Sequence, residues 1–196
     1  MAPSEFDSFC RFVFQFLDDR GTRYLVIGGL AVIVVGEPRT TADADALVFA
    51  TPAEAESLIR QATEAGFDLH EDIERKRLAE TGTLRFRRGR FQVDLITASL
   101  PFEETAYHRA SFHQLFGIRL PFPSPEDLIL FKILAGRDKD ILDAIGVARR
   151  HADRIDVAYL ERTLLPLCEL AEEVSYWNRL HNVLARARGD AGSAAG

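Results

Sequence analysis

The sequence predicts an α/β fold followed by a helical subdomain at the C-terminal end. Three observations carry that expectation. Up to Pro121, short apolar runs of strand length alternate with segments whose apolar residues recur every three or four positions. Beyond Ser124 only the three-and-four spacing continues. Hydrophobic residues make up 47% of the 196 residues and charged residues 28%, enough for a packed core without metal or disulfide staples. The expected organisation is a mixed domain over 1–121, a helical subdomain over 122–188 and a loose Gly/Ala/Ser-rich tail over 189–196.

The elements follow in order. Phe6, Phe12, Val13, Phe16 and Leu17 give a helix over 4–19, stopped by Arg20-Gly21. Tyr24–Ile27 is a short buried strand, punctuated by Gly28-Gly29, and Leu30–Gly36 a short apolar helix. Pro38 makes 37–41 a loop, and residues 42–50 form a strand carrying Asp43 and Asp45. Thr51-Pro52 opens a helix to about Ala65 as an N-cap with proline at the first helical position. Residues 67–79 show no clear period, and no element is predicted there. Two strands, 83–88 and 90–97, make a hairpin around Gly89, and one or two more strands fall in 107–120. Ser124-Pro125-Glu126 opens a helix over 127–135, with Gly136 a possible break. Helices follow over 138–151 and 156–164. A long amphipathic helix then runs from Leu167 through Leu170, Val174, Trp177 and Leu184 to near Arg188.

Charge narrows the function classes. Against 24 Lys and Arg stand 30 Asp and Glu, a net charge of −6, which argues against coating nucleic acid by bulk charge. A local basic patch remains open. Arg75-Lys76-Arg77 and Arg85, Arg87, Arg88 and Arg90 describe either an RNA-backbone footprint or the charged exterior of a soluble hairpin. Cys10 and Cys168 form no CxxC pair, and the five histidines show no HxxxH or HExxH spacing, so a structural zinc site is not expected. No signal peptide is visible, and the longest apolar run, Tyr24–Gly36, is too short to span a bilayer. A cytoplasmic protein with no membrane partner is expected.

The most informative segment is Gly28-Gly29 followed by Arg39-Thr40-Thr41-Ala42-Asp43-Ala44-Asp45. Two aspartates two positions apart on a strand point to one face. Such carboxylates resist joint ionisation unless a cation sits between them, and a hard divalent ion with oxygen ligands, Mg²⁺ above all, meets that need. Asp94 is a third candidate: Phe91, Val93 and Leu95 share one face of their strand, so Asp94 takes the other. If the two strands are neighbours, three carboxylates converge, which is the chemistry of metal-assisted phosphoryl or nucleotidyl transfer. Alone, Asp-x-Asp equally describes a solvated strand edge. Gly28-Gly29 at a strand-to-helix junction permits close approach of a phosphate to the helix N-terminus, or simply makes a tight turn.

Taken together, these residues resemble the DNA polymerase β-type nucleotidyltransferase superfamily. The later segment Phe131-Lys132-Ile133-Leu134-Ala135-Gly136-Arg137-Asp138-Lys139-Asp140, continuing to Asp143, looks like its AbiEii-type branch, the toxin-like enzymes of type IV toxin–antitoxin systems. The similarity spans roughly residues 22–147. It implies a nucleotidyltransferase-type mixed sheet with flanking helices, Mg²⁺ as cofactor and a nucleoside triphosphate as substrate. It further implies Asp43 and Asp45 as metal ligands, with Asp94 completing the metal site and helping to deprotonate the acceptor. Gly28 and Gly29 would lie against the triphosphate. Arg39, Lys132 and Lys139 are the candidate nucleotide contacts, with Asp143 placing the lysine; a solvated charged face is the alternative for that run. The expected reaction moves a nucleoside monophosphate from NTP to an acceptor hydroxyl, on a tRNA 3′ end or a protein side chain, in a protein that could be held by a cognate antitoxin. Two rivals stand beside it: an inactive module whose C-terminal helices bind a protein partner, and a two-metal nuclease.

Overall fold

The computed structural model describes residues 4–41 and 43–193. The chain divides into two compact units. One comprises the residues up to Leu30 together with Thr40–Phe122, and the other Ala31–Arg39 together with the residues from Pro123 onward.

In the first unit, helix α1 (Glu5–Asp18) opens with a capping box in which Ser4 and Asp7 satisfy each other's backbone N–H groups. Strand β1 (Arg23–Ile27) follows, and the chain leaves the unit through helix α2 (Gly28–Val35). Strand β2 (Ala44–Phe49) leads to helix α3 (Pro52–Glu64), which starts on a Thr51/Glu54 capping box. Helix α4 (Glu71–Thr81), strands β3 (Thr83–Arg88) and β4 (Phe91–Thr97), helix α5 (Pro101–His108) and the hairpin of β5 (Ser111–Leu115) and β6 (Ile118–Phe122) complete it.

The main sheet has the order β1-β2-β4-β3. β1 is antiparallel to β2, β2 parallel to β4, and β4 antiparallel to β3, so the sheet is mixed. Alternation sorts its residues into two faces. Tyr24, Val26, Ala44, Ala46, Val48, Val93, Leu95, Leu84 and Phe86 share one face and are all buried. Phe16 and Phe67 pack their rings against Phe86 on that side. The other face carries the polar row described below.

The second unit is helical. Helix α6 (Pro125–Ala135) is buried along most of its length and is packed by α7 (Asp138–Arg150), α8 (Val157–Ala171) and α9 (Ser175–Ser193). Its first turn is fixed by Asp127, fully buried, which accepts from Ser124 Oγ and from Tyr159 Oη, both at 2.6 Å. The segment after α2 is tied to α7 by donation from Arg150 and His151 to the carbonyls of Gly36 and Val35.

Several expectations need correction. The segment 67–79 contains α4, whose only buried residue is Glu74. The single helix expected from Leu167 to Arg188 is two helices: Glu172 takes a left-handed conformation (φ 53°) and ends α8. Residues 189–193 continue α9 rather than fraying, while 194–196 lie outside the described residues. The strand expected over 42–50 begins at Ala44, so Asp43 precedes it by one residue; Ala42 lies outside the described residues.

Candidate active site

The sheet register assembles a polar row. Asp45 is paired with Ile27 of β1 on one side and with Asp94 of β4 on the other, and Asp94 is paired with Arg85 of β3. Residues in direct register share a face, so Asp45, Asp94 and Arg85 stand side by side across three strands. Like charges directly opposite each other are unfavourable. Arg85 offsets them: its Nε donates to Asp94 Oδ1 at 2.7 Å and its Nη2 to Oδ2 at 2.8 Å, a two-pronged ion pair. The bonds to Asp94 push the Arg85 pKa up, and the negative charges of Glu74 and Asp43 add to the effect. Asp43 itself is exposed, with its backbone N–H on Thr41 Oγ1.

Gly28 supplies the space beside Asp45. It has φ +64°, and a Cβ built there would lie 2.0 Å from Asp45 Oδ2. Only a residue without a side chain lets the carboxylate occupy that position. Gly28 also starts α2, whose first N–H groups have no partner within the helix, as at any helix N-terminus. Gly28→Ala is expected to destabilise the protein by about 2 kcal/mol through backbone strain and the collision. Gly89, at φ +59° with nothing within 4 Å of a built Cβ, gives the control. In urea unfolding, Gly89→Ala should cost clearly less; equal costs would mean that Asp45 does not pack on Gly28.

The donor set suits a hard divalent cation. Asp43, Asp45 and Asp94 offer only carboxylate oxygens, and a cation, Arg85, is already bound to one of them, Asp94. As they stand, no three Asp, Glu, His or Cys side chains among the described residues are grouped to hold a metal ion, and both oxygens of Asp94 accept from Arg85.

The remaining expected site residues belong to the second unit. Gly136 is left-handed (φ +68°) and caps α6, so Lys132 and Asp143 lie on two helices rather than one continuous face. They meet nonetheless. Lys132, 4% exposed, donates to Asp140 Oδ1 at 2.9 Å and to Asp143 Oδ2 at 2.8 Å. Arg39 grips Asp143 through Nε (2.8 Å) and Nη2 (3.0 Å), and Arg137 grips Asp140 at 2.5 Å. Asp143 thus accepts from both Lys132 and Arg39. Lys139 is exposed.

The basic run is largely neutralised at home. Arg75 pairs with Glu56, Glu71 and Asp72, Arg77 with Glu74 and Arg90 with Glu5, while Arg88 lies 3.8 Å over the Phe12 ring. These pairings fit a charged exterior. Burial pushes the Cys10 thiol up to about 12, so it is chemically quiet. No helix among the described residues is long and apolar enough to cross a membrane.

Arg85 and Glu74 are the site residues that sequence reasoning missed. A signal for Arg85 existed: a two-residue turn at Gly89-Arg90 sets Arg88 opposite Phe91, and counting outward places Arg85 opposite Asp94. Glu74, which accepts the Arg85 backbone N–H at 2.7 Å, had no such signal.

The mixed four-stranded sheet with its flanking helices is a nucleotidyltransferase-like fold. The crystal structure of an antigenic nucleotidyltransferase-like protein from Paracoccidioides brasiliensis shares the fold, with a TM-score of 0.50 at 19% identity, covering 94% of this chain and 95% of that one. The lincomycin-bound lincosamide antibiotic adenylyltransferase LnuA gives a TM-score of 0.49 at 14% identity, over 75% of this chain and 98% of that one. Comparison with curated proteins gave no match. The chain belongs to the family described as nucleotidyltransferase of unknown function (DUF6036), whose model matches residues 10–185.

Proposed function

We propose that the protein transfers a nucleoside monophosphate from an NTP to an acceptor hydroxyl in a Mg²⁺-dependent reaction that releases pyrophosphate. The observation that carries this is the in-register pairing of Asp45 with Asp94 beside a glycine that yields its side-chain volume to Asp45. Asp43 and Asp45 would hold the metal, with Asp94 as the third ligand. When bound, the ion supplies charge neutralisation for the triphosphate and a lowered pKa for the attacking hydroxyl. In the transfer itself, the acceptor oxygen forms a bond to the α-phosphorus and the bond from that phosphorus to the β-phosphate bridge breaks. Asp94 accepts the hydroxyl proton. Gly28 and Gly29 leave the α2 N–H groups open to the phosphates.

Within the second unit Arg39 is paired with Asp143, and Lys132 with Asp140 and Asp143. Lys139, exposed, remains the cation for the nucleotide. The Phe131–Asp143 segment resembles the AbiEii-type toxins, so a tRNA 3′ end is the first acceptor to try and a protein side chain the second, with an antitoxin as the matching partner. The test is incubation of the full chain with each of four α-labelled NTPs, Mg²⁺, total RNA and total protein. Label in one class of macromolecule is expected. No label in any mixture would overturn the proposal in favour of an inactive partner-binding module, and shortened RNA would favour a nuclease.

A further inference from the structure

Arg85 has no part in the chemistry above, yet it is the group most tightly engaged with it. Both Asp94 oxygens are taken by its planar fork, and the pair is only partly screened, with the side chains 30% and 23% exposed. Its backbone cannot drift: the N–H is held by buried Glu74, and the ladder pairs Arg85 with Asp94. A carboxylate that accepts two charge-assisted bonds from one fork must reorient, or lose that fork, to serve a small cation that demands near-ideal octahedral geometry.

We propose that Arg85 is the resident counter-cation of the carboxylate row: it holds Asp94 and must release it before Asp94 helps to hold a divalent ion. Arg85 thereby sets how tightly the site binds that ion. This rests on the nucleotidyltransferase site proposed above. It makes Arg85 a positioning residue that acts through Asp94, in competition with the cofactor rather than in support of it.

The test is binding of Mn²⁺ alone to the full chain, read from the electron paramagnetic resonance signal of the free ion, with no nucleotide and no turnover. Arg85→Gln removes the competing charge and should bind Mn²⁺ roughly tenfold more tightly than wild type. Arg85→Lys keeps the charge but not the fork and should fall between them, and it carries the comparison if the glutamine variant does not fold. Asp45→Asn should lose the binding. If wild type binds and Asp45→Asn does not, but the Arg85 variants bind no more tightly than wild type, the counter-cation role is overturned and the carboxylate site stands. If no protein in the series takes up Mn²⁺, both are overturned.

Discussion

Asp45→Asn is expected to reduce nucleoside monophosphate transfer by about a thousandfold, the scale of losing several kcal/mol of metal-dependent stabilisation. The substitution keeps the shape of the side chain and removes one negative charge. Asp45 lies inside β2, its backbone laddered to both β1 and β4, so the strand keeps its pairing. Removing one of two like charges in direct register lowers repulsion, and the unfolding midpoint should hold or rise. The measurement is initial-rate incorporation of α-label beside a urea unfolding curve. Lost transfer in a folded variant is the expected outcome; a rate within about tenfold of wild type would remove Asp45 from the chemistry.

Lys132→Met should produce the largest stability loss, about 3 kcal/mol, because removing one partner of a buried ionic network leaves the others uncompensated. Asp140 and Asp143 would each retain a single arginine, Arg137 and Arg39 respectively. Burial raises the Asp140 pKa, but the hydrogen bonds from Arg137 and Lys132 outweigh it and hold the carboxyl below its ordinary value. The sign follows. A depressed folded pKa stabilises above the unfolded value of about 4, and the gain disappears as pH falls through the folded value. Without Lys132 the depression shrinks, so the variant should retain less of that stabilisation at neutral pH and should finish losing it at a higher pH than wild type. Lys139→Met, at an exposed position, should shift stability by no more than about 0.5 kcal/mol. Equal effects at the two lysines in urea unfolding would contradict the buried network.

The elements that position the site were legible because each carried its own local chemistry. Thr51-Pro52 and Ser124-Pro125 announced helix starts, and the alternation of Phe91, Val93 and Leu95 assigned Asp94 to the opposite face. Helix α4 was not legible because it has no apolar stripe. It is held by Arg75–Glu71 and Lys76–Glu80 pairs and by Glu74 reaching the Arg85 N–H, and hydrophobic periodicity registers neither. The break at Glu172 was hidden because apolar spacing at Leu167, Leu170 and Val174 survives one left-handed residue, while Leu170 and Val174 are in fact exposed. The Lys132 network was visible only as a charge run. Its burial depends on Gly136 reversing the chain so that α7 folds back on α6, a tertiary event that charge spacing does not encode.

The most direct measurement compares α-labelled with γ-labelled NTP in the same mixture of full chain, Mg²⁺ and acceptor. If Asp43, Asp45 and Asp94 drive nucleotidyl transfer, the acceptor takes up the α-label only, the γ-label leaves in pyrophosphate, and Asp45→Asn does neither. Acceptor carrying the γ-label, or α-label transferred equally well by Asp45→Asn, would contradict it.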